Sequence, residues 1–253
     1  MTIQIVQLTD LHLYKDPQAL LAGVATWNTF SAVLEQVRRE QPDVDYLILT
    51  GDLAQDETLE TYLTLREALG DWLDRCRIIP GNHDDRSNLR KAFPECIPNN
   101  EGPLTFTLTA GAWRIIGLDS QVTGEVKGAI DADQLNWLKT RLANGPETRT
   151  LVFIHHPPIP INVAWLDNIG LSQADEFIEL IEASPQLEVV CAGHVHQEFT
   201  GRIGTASIYT TPSTCVQFAA RAEKTFDTRV AGYRSFRLDS FGHSTSVHRL
   251  SDR

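Results

Sequence analysis

The chain has 253 residues, enough for one large domain with a sizeable core, and its 42% hydrophobic and 22% charged content is ordinary globular usage. A formal net charge of −11 repels polyanions at long range and removes the basic footprint of non-specific nucleic-acid binding, which argues against a nuclease and against any nucleic-acid partner. No apolar run approaches the roughly 20 residues that cross a bilayer, and the first residues already carry a strand-like pattern, so neither a signal peptide nor a membrane partner is expected.

Apolar, β-rich runs alternate with amphipathic stretches, so the chain reads as α/β. Residues 3–9 predict a strand. Trp27, Phe30, Val33, Leu34 and Val37 then recur at helical spacing until Pro42 stops the helix. A second buried strand is expected over 44–50, a helix over 57–73 and a short strand over 77–79 that ends at Pro80-Gly81. Strands follow over 104–108 and 113–118, then a helix over 131–142 with Leu135, Leu138 and Leu142 on one face, and a strand over 151–154. Ser172-x-x-Asp175 predicts a capped helix start, with the helix ending near Ala183. After a strand over 187–192 the chain turns mainly β, with strands over 206–211 and 233–238 in a C-terminal portion of about 203–253. No repeat, low-complexity tract or linker divides it, so a single domain over 1–253 is expected. Cys76, Cys96, Cys191 and Cys215 are widely spaced without a Cys-x-x-Cys pair, which predicts reduced thiols and a cytoplasmic location.

Six of the eight histidines fall in short segments just past predicted strand ends. The segments read Thr9-Asp10-Leu11-His12, Gly51-Asp52, Gly81-Asn82-His83-Asp84, His155-His156-Pro157-Pro158 and Gly193-His194-Val195-His196. Ligands of open α/β sheets gather at that edge. Residues two apart on an extended chain project to one side, so Asp10 with His12, and His194 with His196, are each expected to reach a common site. Gly51, Gly81 and Gly193 are expected to let the backbone turn sharply there. Taken singly, each segment has a bland reading as turn chemistry or a hydrogen-bonded histidine. Five of them in one order, each at a strand end, do not. Carboxylate, imidazole and amide donors without thiolate suit Mn, Fe or Zn better than Mg.

The series Asp-x-His, Gly-Asp, Gly-Asn-His-Asp, His and Gly-His-x-His resembles the calcineurin-like metallophosphoesterase superfamily, with every motif position filled. Within it the chain is similar to the class III cyclic nucleotide phosphodiesterases, the group of the bacterial 3′,5′-cyclic AMP phosphodiesterases. The closer likeness rests on Gln7-Leu8-Thr9-Asp10, Gly51-Asp52-Leu53-Ala54-Gln55-Asp56, Leu118-Asp119-Ser120-Gln121-Val122, Trp165-Leu166-Asp167, Gly193-His194-Val195-His196-Gln197 and the segment from Thr211 to Phe218. It runs nearly end to end, as far as Val247-His248-Arg249-Leu250.

The resemblance implies a four-layer αββα sandwich, two mixed β-sheets face to face with helices outside. It implies two metal ions per chain, Fe and/or Mn with Zn an option, one held by Asp10, His12 and His196 and the other by Asn82, His155 and His194, with Asp52 bridging. Two divalent ions about 3.5–4 Å apart clamp phosphate oxygens and ionise a shared water at neutral pH, the metal-bridging hydroxide expected to attack 3′,5′-cyclic AMP and give 5′-AMP. His83 is the expected general acid for the departing sugar oxygen, a role worth about 10²–10⁴-fold. His12, Asp52, Asn82, His83 and His196 would line the phosphate side, while Trp165, in the loop from Pro160, either stacks on the base or serves only packing. Asp84 either orients His83 or closes its turn, with the turn favoured. His156 is either structural or an outer partner of the ligands. The segment from Thr211 to Phe218 either lines the nucleotide pocket or completes the β-structure. The same chemistry on a glycerophosphodiester, a 2′,3′-cyclic nucleotide or a nucleotide pyrophosphate is the nearest alternative. A non-catalytic scaffold of the same fold, and a protein phosphatase, stand further off. The partner is a small nucleotide, and the chain is compatible with a monomer or a dimer.

Overall fold

Alternation along the first strand, β1 (Ile3–Leu8), sets the layering. Ile3 and Ile5 point into one apolar cluster, while Val6 and Leu8 point into another on the opposite face. A strand buried on both faces must be covered on both. The computed structural model describes residues 2–98, 101–221 and 223–251. After β1 come β2 (Leu20–Leu21), β3 (Val24–Ala25), α1 (Thr26–Glu40), β4 (Tyr46–Thr50), α2 (Leu59–Leu69), β5 (Cys76–Ile79), α3 (Arg86–Ala92), β6 (Phe106–Ala110) and β7 (Trp113–Gly117). The chain continues through α4 (Ala132–Ala143), β8 (Arg149–Ile154), α5 (Ala164–Asp167), α6 (Asp175–Glu182), β9 (Leu187–Ala192), β10 (Phe199–Ile203) and β11 (Ala206–Thr210). Last come β12 (Gln217–Phe218), β13 (Phe226–Asp227), β14 (Gly232–Leu238) and β15 (His243–Arg249).

Two mixed sheets result. The first has the order β15-β14-β1-β4-β5, with β1, β4 and β5 parallel. The second has the order β10-β11-β9-β8-β7-β6, with β11, β9, β8 and β7 parallel. Between them Ile5, Ile48 and Ile79 meet Ile115, Leu151, Phe153 and Val189, and Phe153 packs edge to face on Phe236 at 5.9 Å. Outside the first sheet, Phe30, Val33 and Val37 of α1 and Tyr62 and Leu65 of α2 cover Leu47 and Leu49. Outside the second, Leu135 and Leu138 of α4 and Phe177 and Ile181 of α6 cover Val152, Ile154 and Val190. That is the helix–sheet–sheet–helix sandwich. Its parallel strands turn the C-terminal ends of β1, β4 and β5, and separately of β8 and β9, toward one edge of each sheet.

Several expectations need correction. The helix expected over 57–73 is α only over Leu59–Leu69, since Gly70 adopts φ 54° and the chain tightens into a 3₁₀ turn over Gly70–Arg75. The strand expected over 104–108 lies at Phe106–Ala110. Ser172 caps nothing: its N–H donates to Gly128 O, Gln173 turns left-handed, and α6 begins at Asp175 without a side-chain cap. Trp165 sits in the single turn of α5. Sequence patterning does not predict α3, β10 or β15, the last because its sequence His-Ser-Thr-Ser-Val-His-Arg carries almost no apolar alternation for an edge strand. All four cysteines are free and buried. Among the described residues no helix is long and apolar enough to cross a membrane.

Candidate metal centre

Asp10 and His12 follow β1, Asp52 follows β4, and Asn82 and His83 follow β5 in the first sheet; His155 follows β8, and His194 and His196 follow β9 in the second. The two edges meet. Donor atoms of Asp10, His12 and His196 lie within 4.8 Å of one another, as do those of Asp10, Asp52 and His155, and those of His12, Asp52 and His83. Asp52 Oδ2 stands 3.7 Å from His12 Nε2 and 3.5 Å from His155 Nε2, which puts one carboxylate between both groups of imidazoles. Asp10 Oδ1 stands 3.2 Å from His196 Nε2 and 4.0 Å from His155 Nε2.

The backbone is not extended here, contrary to the expectation from two-residue spacing. Asp10, His12, Asp52, His194 and His196 all have positive φ, between 48° and 67°. For a residue other than glycine each such turn costs about 1–2 kcal/mol, so the geometry is held against a local preference. The pegs are visible. Asp10 N–H donates to Gly51 O at 3.0 Å and His12 N–H to Asp52 O at 2.9 Å, so the chain after β1 stays stitched to the chain after β4. His194 N–H donates to the Asp10 carboxylate at 3.0 Å, and Ser213 Oγ–H donates to Asp10 O at 2.7 Å. Of the three glycines expected to turn sharply, Gly51 does so, with φ 90°. Gly81 and Gly193 serve differently: a Cβ there would stand 2.2 Å from Asp52 Oδ1 and 2.0 Å from Thr9 Oγ1, so they provide room for close approach.

Hydrogen bonds set which ring nitrogen of each histidine is free. His155 Nδ1–H donates to Thr50 O at 2.7 Å and His196 Nδ1–H donates to Val216 O at 2.7 Å, so both turn Nε2 to the centre. His12 Nδ1 is paired with Gln55 Oε1 at 2.8 Å, and its Nε2 lies 3.1 Å from His196 Nε2. Two ring nitrogens that close need a proton or a metal ion between or beside them. Asn82 Oδ1, His155 Nε2 and His194 Nε2 are buried without a hydrogen-bond partner among the described residues. Leaving such atoms bare costs about 1–3 kcal/mol each. These orphan donors and the thiolate-free set fit a pair of divalent transition-metal ions.

Electrostatics agree with that fit. Burial pushes the Asp10 and Asp52 carboxyls up, but His196 beside Asp10 and His155 beside Asp52 outweigh it and hold both below their ordinary range. Burial lowers His12 to about 4 despite Asp52, and holds His194 well below its ordinary value, so both rings are neutral at pH 7 with a lone pair to offer. Burial also opposes a charge on His155, yet Asp52 and Asp10 raise it to about 9. In the metal-free chain a proton there stands where positive charge is wanted.

The remaining residues sort by their contacts. His83 N–H donates to Asp52 Oδ1 at 2.8 Å, and its ring stands edge-on to His12 at 5.3 Å. Asp84 accepts from the N–H groups of Leu53, Ala54 and Gly81 and from Tyr62 Oη–H, the contacts of a turn-closing carboxylate. His156 lies close to His155 and His194 but spends both nitrogens, Nδ1 on Ser120 Oγ at 2.8 Å and Nε2 on Val126 O at 3.1 Å. That leaves it no lone pair to offer. Phe218 stacks on His196 at 4.1 Å, and Trp165 packs edge-on to Phe218 at 5.0 Å with its indole N–H buried and without a partner among the described residues. Sequence reasoning assigns no individual role to Ser120, Phe218 or Gln55, although all three lie in the segments that carry the family likeness.

The chain is 36% identical over 252 residues to the 3′,5′-cyclic adenosine monophosphate phosphodiesterase CpdA of Escherichia coli (strain K12), spanning 99% of this chain and 90% of the relative. It is likewise 36% identical over 255 residues to the protein of the same name from Pseudomonas aeruginosa, spanning 99% and 91%. A crystal structure of a dimetal phosphatase from Danio rerio superposes with a TM-score of 0.69, covering 98% of this chain and 99% of that one at 15% identity, which is a likeness of fold. Residues 3–198 match the Calcineurin-like phosphoesterase family, a span that includes every strand end at which these donors converge, and the chain belongs to that family.

Proposed function

We propose that the chain hydrolyses 3′,5′-cyclic AMP to 5′-AMP in the cytoplasm, with two bound ions, Fe and/or Mn, as cofactors. The observation that carries the hydrolytic reading is the set of buried, unpartnered donors on Asn82, His155 and His194 beside two carboxylates. The substrate is supported by relatives that are about one-third identical over nearly the whole chain and named for it. Asp10, His12 and His196 hold one ion, Asn82, His155 and His194 the other, and Asp52 touches both groups. A bound pair of divalent ions supplies Lewis acidity toward the phosphate oxygens and ionises a water at neutral pH.

The side chains do the rest. His12, Asp52, Asn82, His83 and His196 bound the phosphate side and orient the ester in line. As oxygen from water bonds to phosphorus, the P–O3′ bond breaks, and the ribose alkoxide is a poor leaving group. His83 gives that oxygen a proton and recovers one from solvent. Trp165, beside Phe218, takes the purine side. Four buried free thiols favour a reducing compartment.

The test is a substrate panel on protein reconstituted with Mn or Fe, with and without chelator. kcat/KM on 3′,5′-cyclic AMP should exceed that on a glycerophosphodiester, a 2′,3′-cyclic nucleotide and a nucleotide pyrophosphate, and chelator should abolish it. A higher value on any of the three would replace the substrate. Fewer than one ion per chain after reconstitution would remove the hydrolytic reading. Trp165→Ala should raise KM for cyclic AMP with kcat little changed, and an unaltered KM would take Trp165 out of the base site.

A further inference from the structure

Between the ligand His12 and the acid His83 lies a side chain that neither binds metal nor transfers a proton in the proposed reaction. Gln55 Oε1 pairs with His12 Nδ1 at 2.8 Å, and Gln55 Nε2 pairs with His83 Nδ1 at 3.1 Å. One amide thus spans two rings that stand 5.3 Å apart. An amide oxygen only accepts and an amide nitrogen only donates, so the pairing is directional. We infer that Gln55 is a positioning residue that transmits ligation at His12 to the tautomer of His83, so that His83 meets the departing ribose oxygen with a proton on Nε2. The inference deepens the proposed function and rests on it for the identity of the leaving group.

The amide bridge has two closed states. In the first, His12 Nδ1–H donates to Oε1, the amide N–H donates to His83 Nδ1, and the proton of His83 resides on Nε2. In the second the amide is turned over: His12 accepts at Nδ1 and carries its proton on Nε2, while His83 donates from Nδ1 and has a bare Nε2. A ligand bond at His12 Nε2 admits only the first, because a protonated Nε2 has no lone pair to give. The amide faces the rings as the first state requires, Oε1 toward His12 and Nε2 toward His83. His83 is fixed at its other end too, since its backbone N–H is held by Asp52 Oδ1 at 2.8 Å, so the ring answers to the amide without leaving the site. His155 and His196 lack such a relay, because backbone carbonyls fix their Nδ1–H groups whatever the site holds. Among the described ligands, His12 alone has a side chain that can turn over standing between it and a proton donor.

The experiment reads the tautomer directly and the chemistry alongside it. Zinc-loaded, ¹⁵N-histidine-labelled wild-type protein should show His83 protonated at Nε2 with Nδ1 as acceptor in long-range ¹H–¹⁵N spectra. In Gln55→Glu, whose carboxylate accepts from both rings, the proton should move to Nδ1 of His83; in Gln55→Leu the two tautomers should mix. With two ions retained, kcat on cyclic AMP should fall about 10²-fold in both variants, within the range of a lost proton donor. The loss on bis(p-nitrophenyl) phosphate, whose phenolate leaves without a proton, should be at least about tenfold smaller. A wild-type spectrum with Nδ1–H on His83 overturns the inference without any variant having to fold, and so do equal losses on the two esters. If wild-type protein cleaves the aryl ester but not cyclic AMP, the proposed substrate fails, while the spectrum still decides the part played by Gln55.

Discussion

The two sheets bring different chemistry to their shared edge. The first supplies both carboxylates, the amide of Asn82 and two histidines, His12 and His83, linked through the Gln55 side chain. The second supplies only imidazoles, and the two whose tautomers are fixed, His155 and His196, are held by backbone carbonyls. The sheets also lock each other: Thr50 O at the end of β4 fixes His155, and Asp10 after β1 accepts the N–H of His194. A centre built this way needs both edges in register. The anionic, adjustable half sets where charge goes, and the imidazole half, pinned by backbone carbonyls, sets how many donors face it.

Four measurements would break or sharpen that contrast. The largest effect is expected from the anionic half. Asp52→Ala should lose metal and turnover together, and forfeiting several kcal/mol of charge stabilisation corresponds to a fall of about 10³-fold or more. Two tightly bound ions in that variant would end the idea that Asp52 serves both groups. His83→Ala should keep both ions and lower kcat on cyclic AMP by about 10²–10⁴-fold. Full turnover would show that the leaving oxygen needs no help from this ring. The third measurement concerns protons. Asp52 and Asp10 raise His155 to about 9, so in the metal-free chain it is charged at pH 7 and must lose its proton to bind through Nε2. Metal uptake near neutral pH should therefore release about one proton from this ring, and affinity should climb about tenfold per pH unit until pH about 9, then level off. Calorimetry in buffers of different ionisation enthalpy measures the release, and its absence would mean that His155 binds already neutral. The smallest effect lies behind the fixed half. Ser120→Ala leaves His156 Nδ1 unpaired and should cost about 1–3 kcal/mol of stability while both ions stay bound. Loss of an ion there would mean that His156 does more than support its neighbours.

Much of this is legible in the sequence for a definite reason. Strands buried on both faces leave continuous apolar runs such as Leu47-Ile48-Leu49, and the donors stand directly after them, so both scaffold and site position can be read. Local conformation is less legible. Asp-x-His reads as extended because nothing in the residue types signals a left-handed turn at His12 or His196; the cause lies in cross-strand hydrogen bonds formed by distant segments. Ser172 fails as a cap because the chain turns left-handed at Gln173, after Ser172 N–H has paired with Gly128 O, 44 positions earlier, and so α6 starts past its reach. Phe218 gives no sign of being the platform under His196, a contact between a strand end and a segment far along the chain. The role of Gln55 cannot be read from its identity either, since an amide between two imidazoles is defined by its direction.

The left-handed turns also bear on how long the molecule lasts. His12, His194 and His196 are held at positive φ, outside the broad minima of the chain, so without its ions the fold retains that backbone cost and the crowded nitrogens together. A ligand that binds only the folded chain adds about 2.7 kcal/mol when supplied at a hundred times its dissociation constant. The ambient supply of transition metal would then govern how much of this protein survives proteolysis as well as how fast it works, and starvation for metal would thin the population of the enzyme along with its turnover.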